Sequence, residues 1–250
     1  PGGNIEAKND PMNMKRTTRG GGAIYWSEGG YYGKVLNSKF INNSVQSGNK
    51  ADGGAMLWDS SYHALIDNCI FVGNFINTSF VKPPDKDDVW VQGGAMYLRS
   101  LANYTVSNCL FENCSSSKEA GALYVQTGSG YDTTVKSVVV VNTTFRNNFV
   151  NPKGDNINGG GAVQVKQYNK IEFRNVTFIN NTANLGGALT TTYHSASVSA
   201  FEMYDCKFID NKATEDGGAI YADRAPLNLH DSLFVNNTAV RNGGGLYVSE

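Results

Sequence analysis

Residues 175–190 read NVTFINNTANLGGALT, and residues 205–220 read DCKFIDNKATEDGGAI. In each stretch a Phe, at Phe178 or Phe208, stands three residues before an Asn. A Gly-Gly-Ala-apolar turn follows the Phe after eight residues in the first stretch and nine in the second. A segment of about thirty residues is therefore repeated, and an internal repeat of this length is typical of a solenoid.

The two short units alternate along most of the chain. Gly-Gly-Ala followed by an apolar residue begins at Gly21, Gly53, Gly93, Gly160, Gly186 and Gly217, with variants at Ala120 and Gly243. Phe-x-x-Asn begins at Phe40, Phe71, Phe145, Phe178, Phe208 and Phe234, and Cys114 takes the Asn place after Phe111. Five residues before each Phe the residue is apolar, and three before it is Asn or Asp. Apolar positions two apart, broken by Asn and Gly, indicate short strands separated by tight bends.

This pattern predicts an all-β fold, a parallel β-helix (β-solenoid) of about seven to eight irregular coils with loop insertions. Stacked coils place like residues about 4.8 Å apart, so Asn side chains can hydrogen-bond along a column. We expect three short strands in each coil. Residues 1–250 should form one solenoid, with residues 1–20 as a degenerate or preceding coil and residues 75–92, 126–137 and 149–158 as loop insertions.

The paired tetrapeptides resemble the repeats of chlamydial polymorphic outer-membrane proteins, over nearly the whole chain from Gly21 onward. Similar repeats occur in other secreted or surface proteins of microbes. The resemblance implies a right-handed parallel β-helix that is exposed on a cell surface and serves in adhesion or structure.

Composition excludes two classes of partner. The formal net charge is -1, so a nucleic acid or an anionic lipid surface is not expected as the main partner. No stretch approaches the roughly 20 apolar residues of a membrane-spanning helix. We predict no membrane span in this segment and no cofactor.

Catalysis is not expected from the residue pattern. Parallel β-helices often act on polysaccharides, but glycoside hydrolysis needs two carboxylates that face one bond. The histidines, His63, His194 and His230, fall at different repeat positions and share no motif. We predict that the chain is not an enzyme and has neither a catalytic residue nor a metal site. The alternative is a carbohydrate-active enzyme, lyase- or hydrolase-like, with a divergent site in the insertion loops.

N-glycosylation is predicted at six Asn-x-Ser/Thr sequons, those at Asn42, Asn77, Asn103, Asn113, Asn180 and Asn236. Two further sequons, at Asn142 and Asn175, belong to the column of Asn and Asp residues and are doubtful acceptors. Four of the six, Asn42, Asn113, Asn180 and Asn236, stand two residues after Phe, where we expect the side chain to face solvent. Their abundance favours a eukaryotic secretory origin.

A column of Tyr follows the Gly-Gly-Ala units, at Tyr25, Tyr97, Tyr124, Tyr221 and Tyr247. The flanking apolar residues should point inward, so strand alternation turns these rings outward. The column is interpreted either as cross-strand stacking that stabilises the sheet or as an interface for a partner or a glycan.

The four cysteines allow two arrangements. Cys69, Cys109 and Cys206 share a column of small inward residues, and Cys114 replaces an Asn. Stacked β-carbons lie about 4.8 Å apart, slightly beyond the usual separation in a disulfide. We expect either buried free thiols at Cys69 and Cys109 or a disulfide between Cys109 and Cys114.

Partners are predicted from the ends of the repeat array, neither of which resembles a polar cap. Coils are expected to continue, in the same polypeptide or in a neighbour stacked end to end. Glycans or cell-surface proteins are the other expected partners, and the expected location is extracellular or at the cell surface.

Overall fold

The computed structural model describes residues 4–6, 20–26, 32–47, 50–59, 63–78, 90–99, 103–126, 137–151, 159–167, 170–193 and 200–249. These ranges contain 32 strands, numbered β1 to β32 in chain order, and no helix. Within the same ranges there is accordingly no helix that is long and apolar enough to cross a membrane.

Four long parallel sheets run along the molecule. Sheet I contains β2 (Ile24–Trp26), β7 (Met56–Asp59), β12 (Met96–Arg99), β16 (Leu123–Gln126), β20 (Val163–Gln167), β24 (Leu189–Tyr193), β28 (Ile220–Asp223) and β32 (Leu246–Ser249). Sheet II contains β3 (Lys34–Leu36), β8 (Leu65–Asp67), β13 (Tyr104–Ser107), β17 (Ser137–Val141), β21 (Lys170–Arg174), β25 (Phe201–Tyr204) and β29 (Leu227–His230).

The other two long sheets follow the Phe-x-x-Asn units. Sheet III contains β4 (Lys39–Ile41), β9 (Ile70–Val72), β14 (Leu110–Glu112), β18 (Thr144–Arg146), β22 (Thr177–Ile179), β26 (Lys207–Ile209) and β30 (Leu233–Val235). Sheet IV contains β1 (Asn4–Glu6), β5 (Ser44–Ser47), β10 (Phe75–Thr78), β15 (Ser115–Ser116), β19 (Phe149–Val150), β23 (Thr182–Ala183), β27 (Lys212–Ala213) and β31 (Thr238–Ala239). A two-stranded sheet pairs β6 (Lys50–Asp52) with β11 (Trp90–Gln92).

One coil of the parallel β-helix passes through sheets I, II, III and IV in that order. Sheets I and IV hold eight strands each and sheets II and III hold seven, which confirms the prediction of seven to eight coils. The expectation of three strands per coil is wrong. A fourth strand forms because the Asn that ends each Phe-x-x-Asn unit is followed by a short segment that pairs with the same segment of the next coil.

Tight bends separate the strands because one residue at each bend adopts a left-handed conformation. In the first coil these residues are Asn37 (φ 51°) and Asn42 (φ 54°), on either side of β4. The equivalent pairs in the next coils are Asn68 and Gly73, Asn108 and Asn113, Asn142 and Asn147, Asn175 and Asn180, Asp205 and Asp210, and Asp231 and Asn236. Asn, Asp and Gly tolerate this conformation better than other residues, which explains the two columns of these residue types.

The second glycine of each Gly-Gly-Ala turn is required by the close approach of neighbouring coils. A β-carbon on Gly161 would clash with the carbonyl oxygen of Gly187 in the next coil and lie 2.6 Å from the Thr182 nitrogen. Both obstacles are backbone atoms, and real β-carbon contacts essentially never fall under 3.0 Å. The turn therefore stacks only when this position has no side chain.

A stack of Phe rings covers the inner face of sheet III, with one ring from the middle residue of each strand. The stack comprises Phe40, Phe71, Phe111, Phe145, Phe178, Phe208 and Phe234, with successive ring centroids 4.6 to 5.2 Å apart. Phe71 through Phe208 are fully buried. Each ring buries its faces against its neighbours, so one Phe per coil gives a continuous core.

A buried ladder of Asn side chains runs next to the Phe stack. Asn181 donates from Nδ2 to the Phe145 carbonyl at 3.1 Å and to Asn211 Oδ1 at 2.9 Å. Its own Oδ1 accepts from the backbone nitrogen and Nδ2 of Asn148 at 2.9 and 3.1 Å. These bonds satisfy backbone groups that the bend would otherwise leave unpaired in the interior. Cys114 interrupts the ladder, and Asn74 Nδ2 lies 4.0 Å from its sulfur.

The predicted loop insertions are narrower than expected. The first predicted insertion, residues 75–92, starts with β10 and finishes with β11. The second, residues 126–137, starts at the last residue of β16 and finishes at the first residue of β17, and the third, residues 149–158, starts with β19. The flanking segments are strands because they pair in parallel with the same segments of the adjacent coils. The central parts of all three insertions, and most of residues 1–20, lie outside the described residues.

Candidate functional site

The outer face of sheet II carries a dense group of ionisable side chains near β21, β25 and β29. Alternation along each strand turns every second side chain outward. Two outward columns cross the strands in register: Glu172, Glu202 and Asn228 form one, and Arg174, Tyr204 and His230 form the other. We call these six residues the Glu172–Glu202 cluster.

Glu202 is the centre of the cluster. Its Oε1 accepts a hydrogen bond from Asn228 Nδ2 at 2.9 Å. Its Oε2 lies 3.1 Å from His230 Nε2 and accepts from the Tyr204 hydroxyl at 3.4 Å. The imidazole of His230 also stacks on the Tyr204 ring, with centroids 4.4 Å apart. Contacts from three side chains therefore hold this carboxylate in place.

Glu172 lies one coil away from Glu202 and forms ion pairs with two basic side chains. Arg174 donates from Nε to Glu172 Oε1, and the ammonium of Lys170 lies 3.5 Å from Oε2. The Arg174 guanidinium lies over the Tyr204 ring, 4.5 Å from its centroid. Neighbouring strands are separated by about 4.8 Å, so the two residues lie side by side on the outer face of sheet II, where Glu172 is only 8% exposed.

Hydrogen bonds lower the pKa of both carboxyl groups. At Glu202 the bond from Asn228 is the largest cause, and the pKa lies below the ordinary value of 4.5. At Glu172 the bond from Arg174 likewise lowers the pKa below 4.5. A glycosidase pair instead needs one carboxyl whose pKa is raised, so that it can protonate a leaving group. In the free protein the cluster therefore offers two carboxylates that accept hydrogen bonds and no carboxylic acid.

Metal binding finds no support among the described residues. In that part of the chain no three His, Cys, Asp or Glu side chains come together closely enough to hold an ion. Calcium would take six to eight oxygen ligands, which is more than a two-carboxylate cluster supplies.

The four sequons two residues after Phe lie at equivalent bends between sheets III and IV. Asn42, Asn113, Asn180 and Asn236 are all exposed and all have a left-handed backbone. The side chain at this position faces solvent, as expected from the repeat. Attachment of a glycan there stays a prediction.

The other two predicted glycosylation sites lie in different surroundings. Asn77 is exposed in β10 on sheet IV. Asn103 is half-buried, and its Oδ1 accepts a hydrogen bond from the Ser137 hydroxyl at 2.8 Å. Asn77 is therefore the more accessible of the two acceptors.

The prediction of an exposed Tyr column needs correction. Tyr25 is 50% exposed, but Tyr97 and Tyr124 are only 1% and 0% exposed. Tyr221 and Tyr247 are half-buried, and their rings stack with centroids 5.4 Å apart. Tyr221 and Tyr247 therefore fit the interpretation of the column as cross-strand stacking. Tyr97 and Tyr124, at the centre of the column, are too buried to form an interface.

The centre of the Tyr column is buried because the chain that enters each Gly-Gly-Ala turn packs on the outer face of sheet I. Ala120 belongs to one buried cluster with Leu57, Tyr97 and Tyr124. The Tyr97 hydroxyl donates to Gln126 Oε1 at 2.5 Å. Burial raises the pKa of both buried phenols well above the ordinary value. Alternation predicted the direction of these side chains correctly but did not reveal what covers them.

The cysteines are buried free thiols, and the Cys109–Cys114 disulfide is not formed. Cys109 lies at the bend before β14 and Cys114 at the bend after it, so the strand holds the two sulfurs at different corners of the coil. Burial raises the pKa of Cys114 to about 12 and that of Cys206 to about 11. Cys114 and Cys206 are therefore structural rather than nucleophilic. At Cys69 the hydrogen bond with Cys109 instead lowers the pKa of the thiol to about 7.

Comparison with known proteins identifies the fold. Residues 13–250 match the family model described as right-handed β-helix region. No curated protein matches the sequence. Among solved structures, the catalytic domain of a GH87 α-1,3-glucanase in complex with tetrasaccharides is similar, with 12% sequence identity and a TM-score of 0.38. The similarity covers 91% of this chain and 48% of that one, so this chain spans about half of the glucanase structure.

The prediction that the chain is not an enzyme is corrected by this comparison, since the similar structure is itself a catalytic domain. The prediction was drawn from the absence of a shared motif around the histidines. It overlooked the columns that bring Glu172 and Glu202 together from two different repeats. The similarity concerns the fold alone, so the activity of the glucanase is not assigned to this chain.

Proposed function

The chain belongs to the right-handed β-helix family, and on that premise we propose that it is a structural and adhesive module of an extracellular or cell-surface protein. The continuity of the internal columns carries this proposal. The Phe stack links seven coils through six ring contacts, and sheet I pairs eight strands without a break. Eight strands at the spacing of neighbouring strands give a rod about 34 Å long.

Two features support a location outside the cell. The outward bends carry exposed sequons in four coils, where a glycan fits without disturbing the core. The Gly-Gly-Ala and Phe-x-x-Asn repeats also resemble those of chlamydial polymorphic outer-membrane proteins, which are surface proteins.

Surface labelling tests this location. Antibodies raised against the purified chain are applied to intact cells that produce the native protein, with and without brief protease treatment. We expect labelling of intact cells that protease removes. Labelling that appears only after the cells are permeabilised would contradict the proposal.

We also propose that the coil edge formed by β29 to β32 stacks against a second copy of this chain. Leu246 is 36% exposed and Val248 55% exposed, whereas the residues in register on the preceding coil, Ile220 and Ala222, are fully buried. Light scattering over a concentration series tests stacking by a second copy. Association that Val248→Asp abolishes is expected, and a monomer at every concentration would count against it.

The Glu172–Glu202 cluster favours a second candidate function, cleavage of a polysaccharide. The carboxyl groups of retaining glycosidases lie about 5 to 5.5 Å apart. Glu172 and Glu202 are register partners on adjacent coils, so their backbones are one strand spacing, about 4.8 Å, apart. His230 and Tyr204 next to Glu202 add groups that can exchange a proton with a substrate.

A panel of polysaccharides tests this second candidate through the release of new chain ends. Glu202→Gln and Glu172→Gln are expected to lower the rate by about 100-fold or more, the usual contribution of an acid or base. Glu112→Gln is the matched control, because Glu112 is also an outward carboxylate paired with an arginine, Arg146, on an adjacent coil. Activity that all three variants retain would exclude this cluster as the site.

A further inference from the structure

A shallow groove crosses the outer face of sheet IV. It consists of two adjoining hollows of about 350 and 210 Å³, and both are lined by Phe149 and Asn151. The hollows reach Asn77 in β10 at one end and Thr182 in β23 at the other. The groove therefore spans four coils, or about 14 Å along the axis of the rod.

Phe149 is the centre of the groove, and it is 41% exposed. Its register neighbours on the two adjacent coils are Ser115 and Thr182. Both are small, so no ring covers Phe149, in contrast to the buried Phe stack. An aromatic ring that stands above small polar neighbours presents an apolar platform with hydrogen-bonding groups around it.

The lining of the groove is uncharged, and it combines polar side chains with the apolar Phe75, Ile76 and Val150. Besides Phe149 it contains the amides of Asn77, Asn147 and Asn151 and the hydroxyls of Ser115 and Thr182, and neither hollow is lined by an ionisable side chain. A phosphate-rich ligand would require basic groups. An added peptide strand would require a free sheet edge, whereas β15, β19 and β23 are paired on both sides. The chemistry that fits is a neutral polyhydroxylated ligand whose hydroxyls meet amides and whose C–H face meets a ring.

We propose that this groove, which we call the Phe149 groove, binds a neutral oligosaccharide carried by a partner molecule. The proposal rests on the adhesive role proposed above and assigns a ligand class to it. Phe149 is a platform for one sugar ring, and the Asn and Ser side chains on either side hold the neighbouring sugars. Asn77 and Asn180 line the two ends of the groove and belong to sequons, so glycans on these residues would compete for it.

The test uses the full chain produced without N-glycans on an array of neutral and acidic oligosaccharides. The best ligand is then titrated against the wild type and variants by calorimetry. We expect binding to neutral glycans and a loss of about tenfold in affinity with Phe149→Ser, which corresponds to about 1.4 kcal/mol. Asn151→Ala should weaken binding in the same direction.

Ile41→Ser is the matched control, because Ile41 is 48% exposed on sheet III, outside the groove. Its affinity should stay within about twofold of the wild type, and all variants should share the wild-type thermal midpoint. The proposal is overturned by binding to acidic glycans alone, by equal affinity of wild type and Phe149→Ser, or by no binding at all. Surface labelling of cells would survive each of these results, so failure of the groove is distinguishable from failure of the proposed location.

Discussion

Replacing Gly161 by alanine should destabilise the β-helix more than any conservative surface change. The new β-carbon would meet the Gly187 carbonyl oxygen of the next coil and lie 2.6 Å from the Thr182 nitrogen. Relief requires adjacent coils to move apart by roughly 1 Å, because neither obstacle is a side chain that can rotate away. Overpacking of a well-packed interior costs typically about 1–3 kcal/mol. With two backbone obstacles we expect about 3 kcal/mol, at the upper end of this range.

Gly245→Ala is the control for this prediction. A β-carbon at Gly245 would lie 3.6 Å from the nearest atom of the Phe234 ring, an ordinary contact. The same place in other coils is occupied by alanine, as at Ala188 and Ala219. Removing a glycine without strain stabilises by about 0.4–1 kcal/mol through the unfolded chain.

Thermal unfolding followed by far-ultraviolet circular dichroism measures both changes. A loss of about 3 kcal/mol lowers the midpoint by about 6–12 °C in a chain of this size. Gly245→Ala should leave the midpoint unchanged or raise it slightly. A Gly161→Ala protein that melts with the wild type would refute the close stacking of the glycine backbones.

Three further outcomes are expected. Cys114→Asn should complete the Asn ladder and raise the thermal midpoint by about 2–4 °C, since a net hydrogen bond contributes about 1 kcal/mol. Cys206→Asn should lower the thermal midpoint, because Cys206 lies in a column that has no Asn ladder. A Cys206→Asn protein that melts above the Cys114→Asn protein would contradict the ladder. The pKa values of Glu172 and Glu202 are lowered in the folded state, so the two ionised carboxylates stabilise the folded protein. This contribution to the free energy of unfolding is complete above the ordinary pKa of 4.5 and is lost as the pH falls through the lower pKa of the folded state. A double Glu→Gln variant should accordingly lose less stability than the wild type between about pH 5 and pH 3 in urea titrations, and equal losses would argue against the paired carboxylates. If the source is eukaryotic, glycopeptide mass spectrometry of native material should find sugar on Asn42, Asn113, Asn180 and Asn236, and four unmodified peptides would remove the secretory argument.

The internal columns were predictable because a solenoid repeats its chemistry at each coil. Alignment on Phe placed an apolar residue five positions earlier and Asn or Asp three positions earlier, and both columns lie where the alignment put them. The Phe stack follows from the same alignment. What the alignment could not supply was the fourth strand of each coil, since β23 and β27 have only two residues each and show no period.

The Glu172–Glu202 cluster was missed although a signal for it existed. The position six residues before Phe holds Glu172, Glu202 and Asn228 in three successive repeats. Residues 30 and 26 positions apart become neighbours only when coils stack in register. A search for catalytic motifs along the chain does not find such a group, whereas reading each outward column across repeats would.

The Phe149 groove and the buried Tyr column show where periodicity stops being informative. The position four residues after each stacked Phe is Ser, Thr or Lys in five coils and Phe in two, at Phe75 and Phe149. The presence of an aromatic residue at this outward position was therefore visible in the sequence. The exposure of Phe149 depends on the size of Ser115 and Thr182 beside it. Conversely, Tyr97 and Tyr124 face outward as predicted, but the chain that enters the turn covers them. Packing of irregular segments is not encoded in a repeat.

The central claim is that each pair of Gly-Gly-Ala and Phe-x-x-Asn units makes one coil, with like residues stacked in a column. Distances between spin labels, measured by pulsed electron paramagnetic resonance, test it directly. The four native cysteines are buried, so labels react with cysteines introduced at Lys39 and, in turn, at Thr144, Thr177 or Lys207, which lie in one outward column of sheet III. The account predicts separations of about 14, 19 and 24 Å, increasing by one strand spacing per coil. Distances that fail to increase evenly with coil number would contradict it.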